Sequence, residues 1–107
     1  MPAFTLHDLE QRVKDRARES ADVSYTRKLL DRGVTHCAKK LGEEAVEAVI
    51  AAVVEDKERM IAEAADVLYH LLVVLHARGI TLDAVEAELA ARSRQSGLDE
   101  KASRKGA

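Results

Sequence analysis

Apolar residues recur at intervals of three and four through most of the chain, and this spacing predicts five helices. Thr5 and Asp8 have the separation of a capping box, with Leu6, Leu9 and Val13 following on one face, so a first amphipathic helix is expected from about Leu6 to Glu19. Ser24 is placed to cap a short second helix through Leu29 and Leu30, stopped by Gly33, which leaves Tyr25 and Lys28 near a loop. Thr35 is placed to cap a third helix that runs without proline to about Val54, where Glu55 and Asp56 punctuate the chain. Gly42 inside that helix costs ~1 kcal/mol relative to alanine, so its presence predicts a close approach there. A fourth helix is expected from about Lys57 to Arg78, ending at Gly79. Its middle is apolar on nearly every side, which predicts burial against more than one neighbour. Thr81 is placed to cap a fifth helix through Leu82, Val85 and Leu89 to about Arg94. Beyond Arg92 the chain turns to Ser, Gly, Lys and Arg, so the expected organisation is a helical domain over residues 1–94 and a mobile tail over 95–107.

Composition narrows this all-α picture to a four- to five-helix bundle. At 107 residues the chain suits one domain with one core. Only Phe4, Tyr25 and Tyr69 are aromatic although 47% of residues are hydrophobic, so the core must come from Leu, Val, Ile and Ala, a palette for closely packed helices. A net charge of -2 with basic and acidic residues interspersed gives no footprint for nucleic acid or a membrane surface. The run Val67 to Ala77 is about two-thirds of the roughly 17 residues a spanning helix needs, and Tyr69, His70 and His76 interrupt it. Cys37 is the only cysteine, which excludes an intrachain disulfide, and no secretory signal pattern follows Met1. A cytoplasmic protein is the simplest expectation. With no general base near it in sequence, Cys37 reads as a small buried residue rather than a nucleophile.

The chemistry lies in acids set beside core positions. Glu43, Glu44 and Glu47 open a run that continues Ala48, Val49, Ile50, and Glu63 and Asp66 precede Val67, Leu68 and Leu71. At helical pitch, Lys40, Glu43, Glu44 and Glu47 share an arc of roughly 100°, and Glu63, Asp66 and His70 one of roughly 60°. The short linker at Glu55 and Asp56 makes helices three and four antiparallel neighbours, so the two acidic faces can converge. Two carboxylates about 5 Å apart repel by ~3 kcal/mol at an effective dielectric of 20, and several together demand a counter-charge. Oxygen-only ligands without cysteine favour magnesium, or manganese, over zinc. The chemistry to expect is metal-assisted attack on a phosphoanhydride. The same spacing also describes an ordinary solvated face, with Lys40 in a surface ion pair and His70 hydrogen-bonded near the core. A di-iron bundle would place histidine where Asp66 follows Glu63, so iron is disfavoured.

Four blocks then carry a resemblance: Ser24-Tyr25-Thr26, Leu29-Leu30, Ala38 through Glu47, and Glu63 through Leu72. In order and spacing, from about Leu6 to Arg92, they resemble the phosphoribosyl-ATP pyrophosphatases. The acidic blocks alone are similar to the wider all-α nucleoside-triphosphate pyrophosphohydrolases, called MazG-like. The tail from Gln95 to Arg104 also resembles the end of some members.

The resemblance implies hydrolysis of 1-(5-phosphoribosyl)-ATP to the AMP derivative and pyrophosphate, the second step of histidine synthesis. It implies magnesium held by Glu44, Glu47, Glu63 and Asp66, with Glu43 beside them either to support those ligands from behind or to orient water as a base. It also implies Lys40 neutralising phosphate charge, and Tyr25, Thr26 and Lys28 contacting phosphate or ribose. A homodimer is implied too, in agreement with a fourth helix too apolar for one short chain to cover. No Cys/His set for a fused cyclohydrolase follows, so a stand-alone enzyme is expected. Two other readings stay open: a house-cleaning nucleotide pyrophosphatase sharing the metal site, and a non-catalytic helical dimerisation module with solvated acidic faces.

Overall fold

The structure is a computed structural model that describes residues 2–94, and among these every regular element is a helix. The five are α1 (Leu6–Ala17), α2 (Tyr25–Asp31), α3 (Val34–Val54), α4 (Lys57–Ala77) and α5 (Leu82–Arg92). The tail expected over residues 95–107 lies outside the described residues.

Local chemistry explains most boundaries. Thr5 accepts from the Asp8 amide while the Asp8 carboxylate accepts from the Thr5 amide, so the capping box forms. Ser24 Oγ accepts from the Arg27 amide at 3.0 Å and donates to the Arg16 carbonyl at 2.9 Å, which caps α2 and ties it to the end of α1. Asp56 caps α4 and Thr81 caps α5. Thr35 does not cap α3. The N-cap is Gly33, with φ 91°, and no side chain caps this end. A left-handed turn open to glycine brings the chain straight from α2 into α3 and leaves Thr35 inside the helix.

α3 and α4 form an antiparallel hairpin and the most extensive helix pairing; α1 packs on α2 and α4, and α2 bridges to α3 and α4. Where the four meet lies the core: Val13, Leu29, Cys37, Leu72, Val73 and the first residue of α5, Leu82. Cys37 is buried there and its thiol points to the Leu29 carbonyl at 3.2 Å, as suits a small packing residue. α5 is held to α1 by polar links as well: the Leu82 amide donates to Glu10 at 2.7 Å, and His7 meets Glu86 at 2.9 Å.

Two expectations change. Gly42 is exposed and an added Cβ would meet nothing within 4 Å, so no close approach inside the chain requires it. The longest run of uncovered apolar residues lies elsewhere than the middle of α4, where Leu72 and Val73 are buried, Leu71, Val74 and Leu75 are partly buried and Leu68 is 40% exposed. It lies on the later part of α3, at Val46, Val49, Ile50, Val53 and Val54, and on Ile61 at the start of α4. Over its full 21 residues α4 is also long and apolar enough to cross a membrane by length and composition. Two polar residues buried along it, Glu63 and His70, mark it instead as the central helix of a bundle with chemistry on its inner side.

Candidate functional site

The hairpin brings the two acidic faces together. Glu44 from α3 and Glu63 and Asp66 from α4 each place a carboxylate oxygen within 4.8 Å of the others. Glu47 sits one helical turn after Glu44 and close enough to act on it. Burial first, then hydrogen bonding with Glu47 and the negative charges of Glu47 and Asp66, push the Glu44 carboxyl above its ordinary range. Repulsion expected from converging acids therefore bears on Glu44, from Glu47 and Asp66, beside the larger effect of burial.

Glu63 is the buried member, 3% exposed. Its Oε1 is bound by Arg59 at 2.8 Å, one turn earlier on α4, while its Oε2 is buried without a hydrogen-bond partner. A desolvated carboxylate oxygen facing no donor is costly, and a cation between it and the neighbouring acids would satisfy it. The donor set is all oxygen, which suits magnesium or manganese. The residues present therefore fit a hard divalent ion.

The remaining predicted residues divide. Glu43 does not join the cluster: it is exposed and pairs with Lys40 at 3.5 Å. Lys40 stands between the acids and α2, its ammonium held above the usual range first by Tyr25 and then by Glu43. Tyr25 is exposed and meets the His70 ring edge-on at 6.4 Å. Thr26 is buried and its hydroxyl shares a hydrogen bond with the Tyr69 hydroxyl, so it braces the ring that packs at 5.0 Å against His70. Lys28 is exposed on the wall of a cavity of about 560 Å³ that Tyr25 and Lys40 also line.

One participant escaped the sequence reading, and another was placed on the right face with a different surrounding. Arg59 lay four residues before Glu63, the ordinary ion-pair spacing, which is a signal too common to single it out. His70 is buried with Nδ1 unpartnered, and burial, then the Lys40 charge, lower its pKa. It was expected to hydrogen-bond near the core, but in the structure its neighbours on either side are the two tyrosine rings.

Known proteins resemble this chain along nearly its whole length. The profile of a family described as phosphoribosyl-ATP pyrophosphohydrolase matches residues 6–93. A protein of Bradyrhizobium diazoefficiens named phosphoribosyl-ATP pyrophosphatase 1 is 62% identical over 105 residues, covering 98% of this chain and 99% of its own. The phosphoribosyl-ATP pyrophosphatase of Azorhizobium caulinodans is 62% identical, covering 94% of this chain and 92% of its own. That of Rhizobium meliloti is 55% identical over 97% of both chains.

Proposed function

The chain belongs to the phosphoribosyl-ATP pyrophosphohydrolase family, and on that premise we propose that it hydrolyses 1-(5-phosphoribosyl)-ATP to 1-(5-phosphoribosyl)-AMP and pyrophosphate, the second step of histidine biosynthesis. The observation that carries the site assignment is the buried, unpartnered Oε2 of Glu63 beside Glu44 and Asp66. Glu44, Glu47, Glu63 and Asp66 would hold magnesium, or manganese in its place. When bound, the ion neutralises charge on the phosphoanhydride oxygens.

The chain's own residues then divide the work. Lys40, at the edge of the acid cluster, offsets phosphate charge as the bond between the α- and β-phosphates breaks. Glu43, exposed beside Lys40, is assigned to orient the attacking water. Tyr25 and Lys28 line the cavity next to the acids and contact the ribose and phosphate portions, and Thr26 supports them through Tyr69. The enzyme works in the cytoplasm as a homodimer, with the apolar face of α3 from Val46 to Val54 against a second copy; a C₂ pair is the commonest way to cover such a face.

Pyrophosphate release from phosphoribosyl-ATP, with and without magnesium, tests the reaction. Magnesium-dependent turnover faster than on ATP or dUTP is expected, and comparable turnover of those nucleotides would overturn it. Glu47→Gln and Asp66→Asn test the site. Both should abolish turnover while leaving the metal-free fold as stable as the parent or more so, because each relieves repulsion among converging charges. Magnesium should raise the melting temperature of the parent strongly and of the variants weakly. Parental turnover and a parental magnesium shift in the variants would remove these carboxylates from the site.

A further inference from the structure

Phosphoribosyl-ATP differs from an ordinary nucleotide in carrying phosphate at both ends, a triphosphate on one ribose and a phosphomonoester on the other. An enzyme for it gains selectivity from a second anion site, separate from the carboxylates that serve the triphosphate. We propose that the cavity between α2 and the start of α3 is that site, with Arg32 and His36, beside Lys28, receiving the terminal phosphate of the second ribosyl group. The proposal rests on the reaction assigned above.

Charge selects this cavity. Lys28, Arg32, His36 and Lys40 line it, while its one acid, Asp31, is engaged by Arg27 at 2.7 Å. Among the described ion pairs Lys28 and Arg32 have no carboxylate partner. A phosphomonoester carries about -1.5 to -2 charge at neutral pH, which these two cations match, and a guanidinium can grip it with two parallel hydrogen bonds. Two other cavities border the site and fit less well. One, lined by Arg12 and Arg16, has its cations occupied: Arg16 pairs with Glu19 at 3.5 Å and Arg12 lies 5.6 Å over the Phe4 ring. The other, beside Asp66, is walled by Phe4, Leu6, Leu9 and Leu68 and offers no cation.

Position supports the same choice. Lys40 lines the cavity and its charge also acts on Glu44, a member of the carboxylate cluster, so the cavity opens beside that cluster rather than across the molecule from it. Tyr25 forms part of the same wall and Leu29 is buried beneath it, an amphipathic lining suited to a sugar with its phosphate among the cations. About 560 Å³ is room for a ribose phosphate. His36 is half-buried, and burial first, then Arg32, Lys39 and Lys40, lower its pKa, so this rim is electropositive even with the imidazole neutral.

Isothermal titration of the full chain with magnesium measures the site without relying on catalysis. The ligands are phosphoribosyl-AMP and AMP, which differ by the phosphoribosyl group alone, against the parent, Arg32→Gln and the Arg32→Gln/His36→Gln double variant. The parent should bind phosphoribosyl-AMP more tightly than AMP, and Arg32→Gln should lower that preference by about tenfold or more, as loss of a charge-assisted phosphate contact does. The double variant should lower it further. Equal affinity of the parent for both ligands would overturn the proposal, as would an equal loss on both ligands, which would assign the cavity to the shared phosphate, or a preference that survives both substitutions. Both side chains reach solvent, and circular dichroism checks that the variants fold. Pyrophosphate release by the parent, measured alongside, keeps the two ideas separate: absent turnover with an intact, Arg32-dependent preference would sink the assigned reaction and not the anion site.

Discussion

The two halves of α3 make an instructive pair. From Val34 to Lys40 the helix packs under α2, and its one deeply apolar contact, Cys37, sits in the core at 1% exposure. From Val46 to Val54 it is richer in branched aliphatic residues, yet Val49 is 65% and Val53 78% exposed, and Ala51 is the buried residue of that stretch. The more hydrophobic half is the less buried one. Burial is decided by what lies across from a face: α2 covers the first half, and on the second half α4 covers one side only. Hydrophobicity states that a surface wants cover, and topology decides whether the chain or another molecule supplies it.

The largest effect should come from placing a charge on the open half. Ile50→Glu should convert a dimer into a monomer at micromolar concentration by light scattering, with helicity retained, because a two-fold contact would oppose the new charge to its own copy. A monomeric parent would show instead that the open half is not a self-contact. Next comes the contrast between covered and open aliphatics. Leu72→Ala, in the core, should cost ~2–5 kcal/mol by denaturant unfolding, whereas Val53→Ala should cost less than ~0.5 kcal/mol once the chain is monomeric. Similar losses would erase the distinction between the two regions. The smallest effect belongs to Gly42, at the junction of the halves. Gly42→Ala should stabilise the chain by ~0.5–1 kcal/mol, since an added methyl meets nothing inside the protein. A loss instead would place a partner or substrate against that surface.

What could be read beforehand follows the range of the interaction involved. Thr5, Ser24 and Thr81 cap through contacts three residues away, so their helices began where local pattern placed them. Thr35 misled because the decisive feature at that boundary is the backbone of Gly33, which a search for side-chain caps passes over. Some ends fell a residue or two short of expectation: Ala17 and Arg92, where no glycine stop follows, and Ala77, where Arg78 is the cap before Gly79 at φ 69°. The convergence of Glu44, Glu63 and Asp66 was legible because a two-residue linker leaves a hairpin little choice of partner faces. The separation of Glu43 from them was not, since one step of helical rotation turns it toward Lys40. The unpartnered Nδ1 of His70 and the Arg59 clamp on Glu63 depend on burial, which arises only when distant segments meet.

That clamp has a consequence for which ions the cluster will accept. With Oε1 already accepting from Arg59, a two-oxygen grip by Glu63 on a cation would have to share that oxygen with the guanidinium, whereas Oε2 has no competing partner. Calcium reaches its six to eight oxygen contacts at 2.3–2.6 Å partly through two-oxygen carboxylate grips, whereas magnesium takes six at 2.0–2.1 Å and tolerates single-oxygen ligands with water completing the shell. In the metal site proposed above, a guanidinium one turn away would thus weigh against the larger ion by competing for one oxygen, without itself approaching the metal.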